Sequence, residues 1–222
     1  MQQAIAHILP IAIAVALSSV PILATIVILL SPKRTTSAVP FLIGWVLGIL
    51  LVVVVFTLTA QFLPAARSPR RPDTVIGTLE IIVGGALIAL AIFEWIQARR
   101  RPSATMPKWL KAADSFGPWA AFGVALLLNV RPKALLLGIA AGLALRGDGL
   151  TPAESLIPIA VYTLVGASTV AAPIILTLAQ PERMAPRLVS MQDWIARNMK
   201  SVTAVILLVI GLAIIWTGIG RL

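Results

Sequence analysis

Four long stretches of this 222-residue sequence carry no charged side chain, and they constrain its fold more than any other feature. They are Met1–Pro32, Thr35–Ala66, Ser155–Pro181 and Ser201–Gly220. A helix of about 20 apolar residues crosses the roughly 30 Å hydrocarbon core of a bilayer. With 59% hydrophobic residues, the chain has too little polar surface to cover a water-soluble domain. The pattern predicts an integral membrane protein.

Two further apolar segments, near 74–98 and 118–145, bring the predicted number of transmembrane helices to six. We predict a first three-helix repeat over 1–102, a cytoplasmic connection over 103–117 and a second repeat over 118–222. Because each half has three helices, the second enters the membrane upside down, as in transporters built from inverted repeats. The stretch before Lys33 has no basic start and is too long for a cleaved signal peptide, so we expect it to be retained as helix 1.

Helices 1 and 4 are both predicted to be broken by a proline near their middle. A proline removes one backbone donor and displaces the carbonyl four residues earlier. Pro21 follows Ser18 and Ser19 in helix 1, and taken alone it is better explained by a simple kink. In helix 4, Pro132 lies between two cations about 13 to 15 residues into the helix. Cations at such depth usually face a cavity or a partner, although a shorter helix 4 would bring them nearer an interface.

The two breaks supply the candidate binding residues. We predict that the substrate-binding residues are Ser18, Ser19, Pro21, Asn129, Arg131, Pro132 and Lys133. Glu80, about six residues into helix 3, is a candidate counter-ion for the two cations of helix 4, or a proton carrier. A purely structural ion pair or a place near the interface would explain Glu80 equally well.

The distribution of basic residues predicts the orientation. Eleven of the 18 Lys and Arg residues fall in the loops between helices 1 and 2, 3 and 4, and 5 and 6. By the positive-inside rule these loops are cytoplasmic and both termini are extracytoplasmic. Within residues 186–198, apolar and charged side chains fall on opposite faces of a helix. This pattern predicts an amphipathic helix in the membrane interface, or simply an amphipathic connector.

Composition excludes several classes of function. Without cysteine, and with His7 as its single histidine, the chain has no thiolate nucleophile, catalytic triad or histidine metal cluster, so we expect neither an enzyme nor a cofactor. The net charge of +10 comes from loops beside apolar helices, where it suits topology and anionic lipid headgroups rather than nucleic acid.

Several short motifs resemble one family. The first half carries Ser19-Val20-Pro21-Ile22, Leu29-Leu30-Ser31-Pro32-Lys33-Arg34 and Phe41-Leu42-Ile43-Gly44-Trp45-Val46-Leu47-Gly48. The middle carries Met106-Pro107-Lys108-Trp109, Asp114-Ser115-Phe116 and Pro132-Lys133-Ala134-Leu135-Leu136-Leu137. Together these segments resemble the GAP family, the glycopeptidolipid- and sulfolipid-addressing membrane proteins of actinobacteria, over nearly the whole chain.

The resemblance implies a six-helix protein related to LysE-type exporters that moves envelope glycolipids across the inner (plasma) membrane. The family pattern at the second break is Asn-Pro-Lys-Asn, so Arg131 and Ala134 depart from it here, and a more basic site would suit an anionic headgroup. Two other functions stay open, namely export of a small solute such as an amino acid or ion, and a non-transporting subunit of a larger lipid-export complex. Membrane lipids, such a complex and a second copy of the chain are the expected partners.

Overall fold

The computed structural model describes residues 2–63, 74–100 and 116–222, in which the chain forms eight α-helices and no strand. The helices are α1 Gln2–Ala16, α2 Ser19–Leu30, α3 Arg34–Ala60, α4 Thr74–Arg100, α5 Pro118–Leu128, α6 Pro132–Gly147, α7 Leu156–Ala179 and α8 Pro181–Ile219. Apart from residues 116 and 117, the connection predicted at 103–117 lies outside the described residues.

The two predicted helix breaks are present. The α1 and α2 helices meet at an angle of 47°, and α5 and α6 meet at 60°. Four helices are long and apolar enough to cross a membrane, and there are up to six spans if each bent pair counts as one. The prediction of an all-helical, multi-pass membrane protein with broken helices 1 and 4 is therefore confirmed for the described residues.

The α3 helix shows how an almost uncharged helix can still have two distinct faces. One face is buried at every fourth residue, and the residues that follow this period are Phe41, Trp45, Ile49 and Val53. The opposite face is equally apolar but exposed, through Ile43, Leu47, Leu51 and Val55. In water this second face would be costly, whereas in lipid it is the expected surface.

Glycines allow the closest helix contacts. A Cβ atom added to Gly84 of α4 would lie 2.7 Å from the carbonyl oxygen of Gly211 of α8, and one on Gly77 would lie 2.7 Å from that of Gly218. The α4 and α8 helices are thus antiparallel and touch through their backbones at two points seven residues apart. Gly142 of α6 meets the backbone of α3 in the same way.

Helices in equivalent positions of the two halves make equivalent contacts. The α1 helix packs on α7, as α5 and α6 pack on α3. Likewise α8 contacts α2, the second part of the first broken helix, and α4 contacts α6, the second part of the other. An inverted repeat produces this pattern of contacts, and the repeat itself stays a prediction.

The chain after residue 181 differs from the expectation of a separate amphipathic helix over 186–198 followed by helix 6. Both belong to one continuous helix, α8, of 39 residues. No proline or glycine occurs between Arg187 and Ile210, so nothing interrupts the backbone hydrogen bonds where the amphipathic part meets the apolar part. Within the amphipathic part, Leu188 and Ile195 are buried, whereas Val189 and Trp194 are exposed.

Candidate functional site

The two helix breaks meet at one cavity of about 220 Å³, which we call the inner cavity. Its wall includes Ser18, Ser19 and Val20 from the first break, Arg131, Pro132, Lys133 and Ala134 from the second, Trp45 from α3, Leu90, Phe93 and Glu94 from α4, and Thr203 from α8. It lies towards the end of α4 that precedes the basic segment 99–101, which is the end predicted to be cytoplasmic.

Local chemistry accounts for the break between α1 and α2. Ser18 has an extended backbone, with φ −76° and ψ 110°, so the helix cannot continue through it. The freed carbonyl of Ala16 accepts a hydrogen bond from the hydroxyl of Thr169 on α7, and the hydroxyl of Thr25 donates to the carbonyl of Pro21 at 2.8 Å. Because the hydrocarbon core offers no water, the hydroxyl of Thr169 satisfies a carbonyl that the break would otherwise leave unpaired. The bond from Thr25 adds to a carbonyl that lies inside α2.

The second break follows the same rule with different residues. Arg131 precedes a proline and is extended, with φ −76° and ψ 149°, because the proline ring excludes the helical conformation from the residue before it. Pro132 then occupies the first position of α6, where its missing N–H costs nothing. The amide of Asn129 donates to the carbonyl of Ala125 at 3.0 Å and closes the end of α5.

The described wall of the inner cavity carries two cations and one carboxylate. The cavity is bounded by the N-terminal ends of α2 and α6, whose backbone N–H groups and partial positive charge favour anions. Neither Ser18 nor Arg131, the residues that precede these helices, caps them with its side chain. The ammonium group of Lys133 is buried, and no described residue gives its Nζ a hydrogen-bond partner. Glu94 is the single carboxylate among the described residues of this wall.

The predicted site residues divide into three groups. Ser18, Ser19, Arg131, Pro132 and Lys133 all line the inner cavity. Two others stand behind it. Pro21 is buried in the first turn of α2, and Asn129 is buried against Gly48 of α3. The third group is Glu80 alone, which is not part of this cavity.

Sequence reasoning missed Glu94 and Thr203 as lining residues. Glu94 lies near the end of its helix, where a solvated carboxylate is ordinary, and Thr203 carries no signal in the sequence. Glu94 follows Glu80 by 14 residues, or almost four helical turns, which puts both carboxylates near one face of α4 about 21 Å apart. That spacing could have indicated that α4 presents one carboxylate to each half of the membrane. The hydroxyl of Thr203 lies 3.2 Å from that of Ser19.

Glu80 lines a second cavity of about 270 Å³, which we call the outer cavity, beside the start of α1 and the end of α8. Here His7 of α1, Glu80 of α4, Asp148 after α6 and Arg221 after α8 form a continuous cluster. Nδ1 of His7 lies 3.0 Å from Oδ1 of Asp148. Arg221 lies 3.3 Å from that same oxygen through one terminal guanidinium nitrogen, and 3.3 Å from Oε2 of Glu80 through Nε.

The inner and outer cavities are stacked along the same helices. On α6 the inner cavity reaches Leu137 and the outer one begins at Ala140, and on α1 the corresponding residues are Val15 and Ile11. These steps are one helical turn each, or about 5 Å. Leu87 of α4, which falls between the two cavities in register, is fully buried. The two spaces are therefore separated by a short apolar barrier between the two halves of the chain.

One family model matches residues 8–220, and it describes the sulfolipid-1-addressing protein, Sap. The chain belongs to this family. The match confirms the family to which the sequence motifs pointed, and it covers both helix breaks and the whole lining of the inner cavity of the Sap-family protein. His7 and Arg221 of the outer cavity lie just outside the matched residues. No curated protein and no solved structure matches the chain. The relation to LysE-type exporters stays a prediction.

Proposed function

We propose that this Sap-family protein exports an envelope glycolipid with an anionic headgroup across the plasma membrane. The observation that carries the proposal is the buried ammonium of Lys133, which no described residue hydrogen-bonds, in a cavity bounded by two helix N-termini. A buried ammonium without a partner is costly, and a function that needs an anion at this place accounts for it. The name of the family, which refers to addressing a sulfolipid, supports a lipid as the cargo.

The size of the inner cavity sets how a lipid would be held. Its volume of about 220 Å³ is smaller than the roughly 300–1,000 Å³ of sites that enclose a whole drug-sized ligand. We therefore propose that only the charged part of the headgroup enters, while the acyl chains stay in the surrounding bilayer. Arg131 and Lys133 would bind the anionic group, and the hydroxyls of Ser18 and Ser19 would bind neighbouring sugar oxygens.

The proposed path runs from the inner to the outer cavity between two halves related by an inverted repeat. The equivalent helix contacts support the repeat, and the apolar barrier supports a mechanism in which the two ends open in turn. In this orientation both termini are extracytoplasmic, as the basic loops indicate. The protein would act alone, together with a second copy of itself, or with a larger lipid-export complex.

A small anionic solute is the second candidate cargo. One observation favours it, because a cavity of about 220 Å³ accommodates a small solute completely. Export of a small anion requires no lipid to move, and it predicts efflux of a water-soluble anion instead of a change in surface lipids.

The test compares surface-extractable and whole-cell lipids by mass spectrometry after deletion of the gene. We expect one anionic lipid class to leave the surface while its cellular pool persists, and wild-type protein to restore it. Lys133→Ala should restore it at least tenfold less, because loss of a charge-assisted hydrogen bond in a buried site costs about 1.5–3 kcal/mol. Arg187→Ala, which removes an exposed cation of α8, is the matched control and should restore it fully.

If every lipid class keeps its distribution after deletion, lipid export is wrong, and efflux of a small anion becomes the function to test. Full restoration by Lys133→Ala at equal protein abundance would keep lipid export but remove the inner cavity as its binding site.

A further inference from the structure

The cluster in the outer cavity joins both halves of the protein. His7 and Glu80 belong to the first half, through α1 and α4, whereas Asp148 and Arg221 follow α6 and α8 in the second half. The contact between Arg221 and Asp148 lies within the second half, whereas those of His7 with Asp148 and of Arg221 with Glu80 cross between the two halves. Any motion that separates the halves at this end must break these contacts.

The charge of the cluster depends on one residue. Glu80 and Asp148 contribute two negative charges and Arg221 one positive charge, so the cluster carries −1 when His7 is neutral and 0 when it is protonated. Histidine is the side-chain type that changes charge between about pH 5 and 8. His7 is also the single histidine of the chain.

Among the described residues at this end, the other ionisable groups are engaged elsewhere. On α6, Arg146 donates to Oε1 of Gln61 at 3.1 Å and to the carbonyl of Leu63 at 2.9 Å. Before α7, hydrogen bonds from the N–H and hydroxyl of Thr151 lower the pKa of Glu154, so this carboxylate stays ionised between pH 5.5 and pH 8.

We propose that His7, Glu80, Asp148 and Arg221 form an extracytoplasmic gate that protonation of His7 closes. In the protonated state each carboxylate of the cluster is matched by a cation, and the four side chains hold the halves together. When His7 is neutral, these four side chains carry a net charge of −1 at a part-buried place, so the outer end opens more easily. A neutral exterior would then favour release of cargo, and an acidic exterior would slow it.

The proposal rests on the proposed transport path, but its test measures conformation and needs no cargo. Because the chain has no cysteine, one engineered thiol reports on one place. Ala144 lines the outer cavity and is 7% exposed, so Ala144→Cys should react with a membrane-impermeant thiol reagent mainly when the gate is open. Phe62→Cys, at a position 90% exposed, corrects for the effect of pH on the thiol itself.

The protein is reconstituted in lipid nanodiscs and its labelling rate is measured between pH 5.5 and pH 8. After correction by Phe62→Cys, we expect labelling of Ala144→Cys to be about two- to fivefold faster at pH 8, the factor that a part-exposed ion pair supplies. In the same background His7→Gln should label at the faster rate at every pH, and His7→Lys at the slower rate.

A corrected rate that does not change with pH overturns the proposal, with or without the His7 variants. A pH response that persists in His7→Gln also overturns it, because the carboxylates would then set the response. Ala140→Cys, which lines the same cavity at 2% exposure, provides a second reporter where Ala144→Cys impairs folding. Failure of the lipid assay with a pH-dependent labelling rate would reject the cargo and keep the gate.

Discussion

Replacing Lys133 with methionine should make the protein more stable and less active at once. Methionine has nearly the length and shape of lysine but no charge. The ammonium of Lys133 is buried without a hydrogen-bond partner, and insertion of a lysine at the centre of a membrane helix costs about 2.5–3.5 kcal/mol. Lys133 also occupies the first turn of α6, where the helix dipole adds roughly 0.3–1 kcal/mol against a cation.

Attraction to Glu94, which lines the same cavity, offsets part of this cost. We therefore expect Lys133→Met to raise the free energy of unfolding by about 1–2 kcal/mol. For a chain of this size that corresponds to an increase in Tm of roughly 2–8 °C. The assay is thermal unfolding of the purified protein in nanodiscs, with surface-lipid restoration measured on the same variant. Lys133→Arg, which keeps the charge, should show neither the rise in Tm nor the loss of surface-lipid restoration.

A Tm of the Lys133→Met protein that falls by several degrees would contradict this prediction. Such a loss would mean that the ammonium stabilises the fold, and the cavity would then need no anion to explain it. A stabilised variant that still restores surface lipids would separate the two halves of the argument, since it would confirm the burial cost and reject the binding role.

Three further predictions concern packing and pairing, and each is checked by unfolding in nanodiscs. Gly142→Val should lower the free energy of unfolding by about 1–3 kcal/mol because its Cβ would lie 2.7 Å from the backbone of Phe56. Gly123→Ala, where the added Cβ meets open space, should be neutral. Equal effects of the two variants would contradict the close α3–α6 contact. Arg221→Gln should lower the free energy of unfolding by about 3 kcal/mol at pH 8, because it removes the cation that pairs with the buried Glu80. Adding Glu80→Gln to this variant should recover most of the loss. No recovery would argue against the pair. Thr169→Val should cost about 1–3 kcal/mol by removing the donor to the carbonyl of Ala16, with Thr169→Ser as the control that keeps it.

The helix breaks were predictable because their cause is local. A proline changes the conformation of its own neighbours, so Pro132 and the extended residue before it could be placed from the sequence alone. The continuity of α8 was predictable for the same reason, since no proline or glycine interrupts 187–210, but the change from amphipathic to apolar pattern suggested a boundary. A change from an amphipathic to an apolar pattern reflects what surrounds the helix, and it does not break backbone hydrogen bonds.

The partners of the two carboxylates of α4 could not be predicted in this way. Glu80 and Glu94 are both single charges in an apolar helix, and the sequence made Glu80 the candidate for the cations of helix 4. In the structure Glu80 pairs with Arg221, whereas Glu94 lines the cavity of Arg131 and Lys133. The register of α4 against α6 and α8 decides this, and that register depends on backbone contacts such as Gly84 with Gly211.

The sequence by itself determined the class of this protein, its broken helices and its family, because apolar length, proline geometry and short motifs act within one segment of chain. Only the tertiary structure decided that two breaks 111 residues apart, at Pro21 and Pro132, meet at one cavity, and that a second cavity with its own charge cluster lies beyond it. Lipid gives no hydrophobic drive for one helix to choose another, so close packing at glycines and the pairing of polar groups make that choice.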